Sequence, residues 1–518
     1  MTKFAHRLTT VLEIPRIVSL AWRTASSGAP GPILLDFPID VLFTPVEVER
    51  VAWGNITAPP VSLPGPDADA IKGLAQLLKG AERPVIIVGT GARNVSIPMD
   101  NWINQTKQIQ ATEEIATLAT SIGLPIFHSP KHSGGIPYDH PFSAGSATTL
   151  ALLPATGNPQ PDLLILIGAR TGFLLGGRTG AIVPTSSCKL VQIDLDGSET
   201  GRSEHVDLAI VSDARLAISA LNAELAHSTT AKFKVPESWI RTALGLRSWR
   251  APHNESEPKI DTENGHLHPY HAVKKLFQAL PTGSVICIDG GECGGWALQN
   301  LPEARARLSM VCTGYLGFLG NGWGYALGAA LADRTQLVVN MQGDGSAGFH
   351  LAELDTYKKF NLRVLTVVVN NSVWGMSLAG QEMIYGHVTD ARPGVALRPE
   401  TRYDIIAQGF GMPGLLVDAT EALPQSPLAE PRKSWATLGP KGEDRSVKCL
   451  EGVSMAVEEI VATGGPGLID LRVSPKPYQD STKAMVGATR DPNVIVVPYY
   501  DNLPRPYYKS GENGVNGN

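Results

Sequence analysis

The sequence predicts an α/β protein with two doubly wound parallel-sheet domains. Three observations carry this. Gln336–Gln342 (QLVVNMQ) and Arg363–Val369 (RVLTVVV) read as buried, β-branched strands on either side of His350–Phe360, whose composition is helical. A strand–helix–strand crossover of this kind makes the two strands parallel, with their C-terminal ends on one edge. A second series of short apolar strands recurs at Pro84–Val88, Leu124–Phe127, Leu163–Ile167 and Leu190–Ile193. Finally, 518 residues exceed what one hydrophobic core serves.

In chain order, residues 1–48 read as a helix-like stretch followed by a short buried strand, Pro32–Pro38 (PILLDFP), too little for a domain. Residues 49–68, with Pro59, Pro60, Pro64 and Pro66, read as a linker. Residues 69–226 form the first α/β domain. Gly89-Thr90-Gly91 after its first strand has the start of a dinucleotide loop, but Asn94 holds the third glycine position, which favours a plain tight turn. Asp194 and Asp196 end its fourth strand and suit capping better than a ribose. Residues 227–268 are polar and read as a second, irregular linker. Residues 269–475 form the second α/β domain, from the strand Ser284–Ile288 with its trailing Asp289-Gly290-Gly291 to the helix Ser454–Ala462 and the strand Gly467–Val473. Within it, 421–448 is rich in Pro, Lys, Glu and Ser and reads as a surface insertion. Residues 476–518 have little periodicity and read as an extended tail.

Composition narrows the function classes. A hydrophobic share of 43% with 18% charged residues is that of a globular protein. Net charge of −5 without a long basic run argues against a nucleic-acid partner. The five cysteines (Cys188, Cys287, Cys293, Cys312, Cys449) are scattered, without metal-ligand or disulfide spacing, which points to a reducing, cytoplasmic setting. No apolar run reaches the roughly 18 residues of a spanning helix, so no membrane role is expected.

The chemistry lies at the C-terminal ends of the first-described strand pair, where Gly343-Asp344-Gly345 and Asn370-Asn371 stand. Neighbouring strands are about 4.8 Å apart, so Asp344 and the Asn371 amide can face one small ion. A carboxylate plus an amide oxygen suits Mg²⁺, which keeps its other positions for water and phosphate oxygens. The glycines allow close backbone approach to a diphosphate.

At these residues the chain resembles the thiamine-diphosphate (ThDP) enzymes, and within them the acetolactate synthase, 2-hydroxyacyl-CoA lyase and benzaldehyde lyase branch. GYLGFLGNGWGYALGAAL (314–331), NNSVWGM (370–376), LILIGARTGFLLGG (164–177) and the opening TKFAHRLTTVLEIPRIVSLAWR carry the likeness, which runs from about Thr2 to Val473. The resemblance implies that 1–48 is the tail of a pyrimidine-binding domain, 69–226 the central domain, and 269–475 the diphosphate-binding domain. It implies ThDP and Mg²⁺ as cofactors, with Asp344, Asn371 and the Val373 carbonyl as metal ligands. Gly290, Gly291, Gly343, Gly345, Ser346, Trp374, Gly375 and Met376 would line the cofactor. Leu319 stands at the family's methionine position, under the bend that brings the aminopyrimidine to the thiazolium C2. Ser346 also reads as a helix N-cap, Trp374 and Leu319 also read as core, and Cys293 reads as a small buried apolar residue. The match is closer to relatives without FAD, so FAD is not expected.

Two departures bear on substrate. Gly294 stands where benzaldehyde-lyase relatives carry tyrosine, and Met376 where they carry a small residue. The larger departure is that the family's activating glutamate belongs to the pyrimidine domain, upstream of everything in this sequence. Glu292 and Glu353 read as surface or capping carboxylates and do not replace it. The expected function is therefore a ThDP- and Mg²⁺-dependent C–C lyase, carboligase or decarboxylase acting on 2-oxo acids, 2-hydroxyketones or acyl donors. It would need a pyrimidine domain from an upstream exon or a separate chain. The alternative is a non-catalytic truncated paralogue serving as partner or regulatory subunit. The cofactor's place between domains of two subunits implies a homo-oligomer, or pairing with a chain that carries the pyrimidine domain.

Overall fold

The computed structural model describes residues 2–56, 63–92, 111–177, 180–184, 186–227, 233–248, 252–261, 264–314, 316–385, 394–418, 446–448, 450–478, 494–495 and 503–504. Asn94, most of the 421–448 segment and most of the tail lie outside them.

The N-terminal stretch pairs β1 (Phe4–Arg7) with β2 (Ile33–Asp36) in a two-stranded parallel sheet. Between them, a Thr10/Glu13 capping box opens the chain into the helix Ile14–Ser26. The sequence implied a buried strand at β2. Instead its residues alternate between half-buried and exposed, with Leu34 57% exposed.

Six parallel strands follow: β3 (Pro84–Val88), β4 (Ile126–His128), β5 (Ser143–Ser146), β6 (Leu163–Ile167), β7 (Lys189–Asp194) and β8 (Leu208–Val211), in the order β5-β4-β3-β6-β7-β8. β3 and β6 are buried along their whole length, which explains their unbroken apolar sequences. Two edge strands escaped the sequence reading. β5 is Ser-Ala-Gly-Ser, with no strand propensity, and is held by its pairing to β4. β8 is only four residues long. Thr90–Ala92 forms a 3₁₀ turn, and Asp196 caps the 3₁₀ turn Gly197–Glu199 through Ser198 N–H. The segment read as an irregular linker contains a helix, Glu237–Ser248, that belongs to this core. Trp239, Ala243 and Leu246 are buried against the sheet, and Trp239 Nε1 donates to the Pro84 carbonyl at 3.0 Å.

The second sheet has seven parallel strands: β9 (Val285–Ile288), β10 (Leu308–Val311), β11 (Val338–Gly343), β12 (Val364–Asn370), β13 (Gly414–Asp418), β14 (Ser446–Lys448) and β15 (Gly467–Arg472). Their order is β10-β9-β11-β12-β15-β13-β14. β12 lies at the centre with every residue buried. β14 falls at the end of the segment read as an insertion; it is an edge strand of the sheet. The outer edge at β10 is covered by the first domain. His132 bridges Met310 in antiparallel sense, Val311 N–H donates to the Lys131 carbonyl at 2.9 Å, and Ser133 N–H to the Ser309 carbonyl at 2.9 Å. The two α/β units thus share a short strip of backbone pairing that also protects a sheet edge. In the tail, Val494–Ile495 pairs antiparallel with Leu503–Pro504.

Candidate functional site

Three adjacent strands, β9, β11 and β12, end at one edge of the second sheet, and each is followed by residues the sequence singled out. Asp289-Gly290-Gly291 follows β9, Asp344-Gly345-Ser346 follows β11, and Asn371 follows β12. Between them opens a cleft of about 220 Å³. Gly290, Gly291, Leu319, Gly343, Asp344, Gly345, Ser346, Asn371, Val373, Trp374, Gly375 and Met376 all line it. Every site residue expected from the sequence is therefore brought to one place.

Asp344 opens a single helical turn, Asp344–Ala347, directly off β11. Its Oδ1 accepts the Gly345 N–H at 2.9 Å, while Oδ2 is buried and has no hydrogen-bond partner among the described residues. The residue is 6% exposed, and burial pushes its carboxyl up to about 7. An unpaired buried carboxylate oxygen is costly and calls for a cation. Asn371 Oδ1 accepts the Val373 N–H at 3.2 Å and keeps a second lone pair. Asp344, Asn371 and Val373 line the cleft together, and the oxygen atoms they carry are hard donors. Among the described residues no group of three or more His, Cys, Asp or Glu is placed to hold a metal.

The cleft's electrostatics point the same way. Cys293 is buried at its wall, and its thiol is pushed well up, first by desolvation and then by Asp289, Asp344 and Glu292. Two carboxylates, Glu292 and Asp344, line the cleft; charged, they would repel a bare diphosphate, and a divalent cation would offset that charge. Glu292 begins the helix Glu292–Asn300, is 6% exposed and lines the cleft, which corrects its reading as a surface carboxylate. Glu353 begins the helix Glu353–Lys359 away from the cleft.

Trp374 is a wall of the cleft. Its half-buried indole meets Phe349 edge-on, with centroids 6.5 Å apart, and lies across Gly345. Met376 packs its side chain over Gly291. Gly294 is buried but does not line the cleft; a Cβ there would touch only Ile288, so its departure from tyrosine does not act by a methylene pointing into the pocket. Ser346 is not an N-cap, a position held by Gly343. Its hydroxyl lies 2.9 Å from Gln342 Oε1 and 3.0 Å from the Gly343 carbonyl. Leu319 lines the cleft half-buried, beside Leu316 (78% exposed) and Phe318 (63% exposed).

Two supports were missed. Asp289, fully buried, accepts the Gly290 N–H at 2.7 Å and the Gly322 N–H at 2.6 Å, which ties the N-terminus of the helix Asn321–Ala332 to the Gly290 loop. Asp470, inside β15, accepts from Asn370 Nδ2 at 3.0 Å and from Arg472 Nη2 at 3.2 Å. Asp470 lies with Arg472 inside an otherwise apolar strand, and that was the available signal.

The chain is similar to known proteins of one family. Residues 289–434 match the model described as "Thiamine pyrophosphate enzyme, C-terminal TPP binding domain", and residues 71–221 match "Thiamine pyrophosphate enzyme, central domain". The chain belongs to the thiamine pyrophosphate enzymes. Its homologues within this ThDP-dependent family include 2-hydroxyacyl-CoA lyase 2 of Caenorhabditis elegans, 27% identical over 461 residues, which cover 82% of this chain and 67% of the relative. Probable acetolactate synthase 2, chloroplastic, of Oryza sativa subsp. japonica is 27% identical over 515 residues, covering 95% and 67%. The 2-hydroxyacyl-CoA lyase of Arabidopsis thaliana is 29% identical over 448 residues, covering 83% and 72%. The chain thus spans about two thirds of the length of such relatives. Benzoylformate decarboxylase from Polynucleobacter necessarius shares the fold, with a TM-score of 0.63 at 19% identity over 92% of this chain and 76% of that one. Among the described residues no helix is long and apolar enough to cross a membrane.

Proposed function

We propose that this chain holds the diphosphate end of ThDP in the cleft through Mg²⁺. It would serve a C–C lyase, carboligase or decarboxylase acting on 2-oxo acids, 2-hydroxyketones or acyl donors. The observation that carries the proposal is the buried, partnerless Oδ2 of Asp344 in a cleft shared with Asn371 and the Val373 carbonyl. When bound, ThDP would supply a nucleophilic carbon and an electron sink for the pair left when a C–C bond beside the carbonyl breaks. The chain's own residues act around it. Asp344, Asn371 and the Val373 carbonyl hold the cation. Gly345 and Ser346 face the diphosphate. Leu319 supports the bend, and Met376 and Trp374 shape the substrate side.

Activity requires a carboxyl group on the aminopyrimidine, the part played by a pyrimidine-binding domain. That domain would come from a preceding segment or from another chain. Its docking face is the apolar surface around Leu319, where Leu316, Phe318 and Phe349 stand exposed. A homo-oligomer or a mixed pair satisfies this geometry equally, in a cytoplasmic setting. FAD has no part in this proposal.

The test is turnover. Residues 1–518 alone should show no C–C lyase or ligase activity. A fusion that places a relative's pyrimidine-binding domain ahead of Met1 should act on small 2-oxo acids or 2-hydroxyketones. Missing carboxyl assistance and lost positioning are each worth orders of magnitude. Robust turnover by residues 1–518 would mean that another residue does the glutamate's work. A folded but inert fusion would favour the non-catalytic partner.

A further inference from the structure

The cleft is braced from behind by a segment that lines none of it. Val395 accepts the Trp374 N–H at 2.7 Å, Leu397 donates its N–H to the Ser372 carbonyl at 2.8 Å, and Ala396 bridges Val373 in antiparallel sense. These bonds grip the turn that carries the Val373 carbonyl. The turn needs gripping, because Ser372 has φ +59°, a conformation that non-glycine residues rarely adopt and that persists only when its surroundings hold it. Further along, the Arg472 guanidinium donates to the Pro399 carbonyl at 2.6 Å and to the Thr401 carbonyl. The segment ends at Tyr403, 7% exposed. Its N–H donates to Asp470 Oδ2 at 3.2 Å and its hydroxyl to the main-chain carbonyl of Asp344 at 2.9 Å.

One continuous stretch of chain thus holds two of the three groups proposed to bind the cation, the Val373 carbonyl at its start and Asp344 at its end. Asp470 and Arg472 tie it to β15, and Asp470 also fixes Asn370, the neighbour of the third group. The bonds at the Tyr403 end join buried groups, whereas Ala396 and Pro399 of the same stretch are exposed.

We propose that residues 395–403 are a positioning strap for the cation site and that Tyr403 is its decisive side chain. Tyr403 fixes the main chain of Asp344 and with it the place of the unpaired Oδ2. It does not touch cation, cofactor or substrate. This inference rests on the function proposed above.

The test uses Mn²⁺ as a paramagnetic stand-in for Mg²⁺, titrated into the full chain with excess ThDP and followed by electron paramagnetic resonance well below the melting temperature. Tyr403→Phe deletes only the hydroxyl. The expected result is a roughly tenfold weaker Mn²⁺ affinity and an altered bound-Mn²⁺ spectrum. A role in stability alone would lower the melting temperature and leave both readouts unmoved. Leu397→Pro, which removes the N–H that grips Ser372, gives an independent second reading and should also weaken Mn²⁺ binding. If Asp344→Ala abolishes Mn²⁺ binding while both strap variants bind as the wild type does, the strap proposal is overturned and the site stands. If Asp344→Ala itself binds Mn²⁺ normally, the site assignment falls instead.

Discussion

The indole of Trp374 lies so close over Gly345 that a Cβ on residue 345 would come within 2.4 Å of the ring. No real Cβ sits that near an aromatic carbon, so even alanine there requires the tryptophan or the Asp344–Ala347 turn to move. The glycine of the Gly-Asp-Gly motif is thereby explained by this chain's own packing as well as by backbone approach to a diphosphate.

Gly345→Ala should weaken Mg²⁺-dependent ThDP binding about tenfold or more. Trp374→Ala in the same chain should recover part of the loss, because the clash partner is gone. A double-mutant cycle measured by calorimetry checks this. Additive losses would mean that the two residues do not meet in solution.

Asp344 gives a pH-dependent prediction. Its carboxyl is raised from 3.8 to about 7 in the fold, with burial as the first cause. The folded state therefore binds this proton more tightly than the unfolded state. The associated stability is fully present below pH 3.8 and is lost as pH rises through 7. Asp344→Asn removes the charge and should stabilise the cation-free protein at pH 8, by up to roughly 4 kcal/mol on the scale of 1.36 kcal/mol per pKa unit. The gain should shrink below pH 7 and vanish near pH 4. Denaturant unfolding of both proteins at three pH values measures it. An equal gain at all three would place its origin elsewhere.

The central domain should bind no flavin. Its topological switch point lies between β3 and β6, where a dinucleotide would enter. There Gly89 N–H donates to the Ile167 carbonyl at 2.9 Å and Gly91 N–H to the Gly168 carbonyl at 3.0 Å, so the backbones fill the crevice. The purified protein should be colourless. A yellow protein with flavin absorbance would contradict this and bring the chain closer in character to the acetolactate synthases.

The site was legible in the sequence because its residues cluster in three short motifs at strand ends, and strand ends of a parallel sheet converge. β3, β6, β9, β11, β12 and β15 were legible because burial on both faces demands mostly apolar runs. β5 was hidden, since Ser-Ala-Gly-Ser becomes a strand only through its neighbour. Glu292 and Tyr403 were hidden for another reason. Their places come from residues remote in sequence, the cleft at the ends of β11 and β12 for one and Asp344 for the other, and local pattern carries no such information. Trp239 was missed because its helix lies in a stretch with a polar average.

The most direct measurement is a calorimetric titration of ThDP with Mg²⁺ into the full chain and its Asp344→Ala variant. The proposed site predicts Mg²⁺-dependent binding to the wild type, weak without a pyrimidine-binding domain. In the variant it predicts an affinity lower by on the order of 100-fold or more, since one of few protein oxygen ligands is lost. Equal ThDP affinity in the two proteins would contradict the assignment of the cleft.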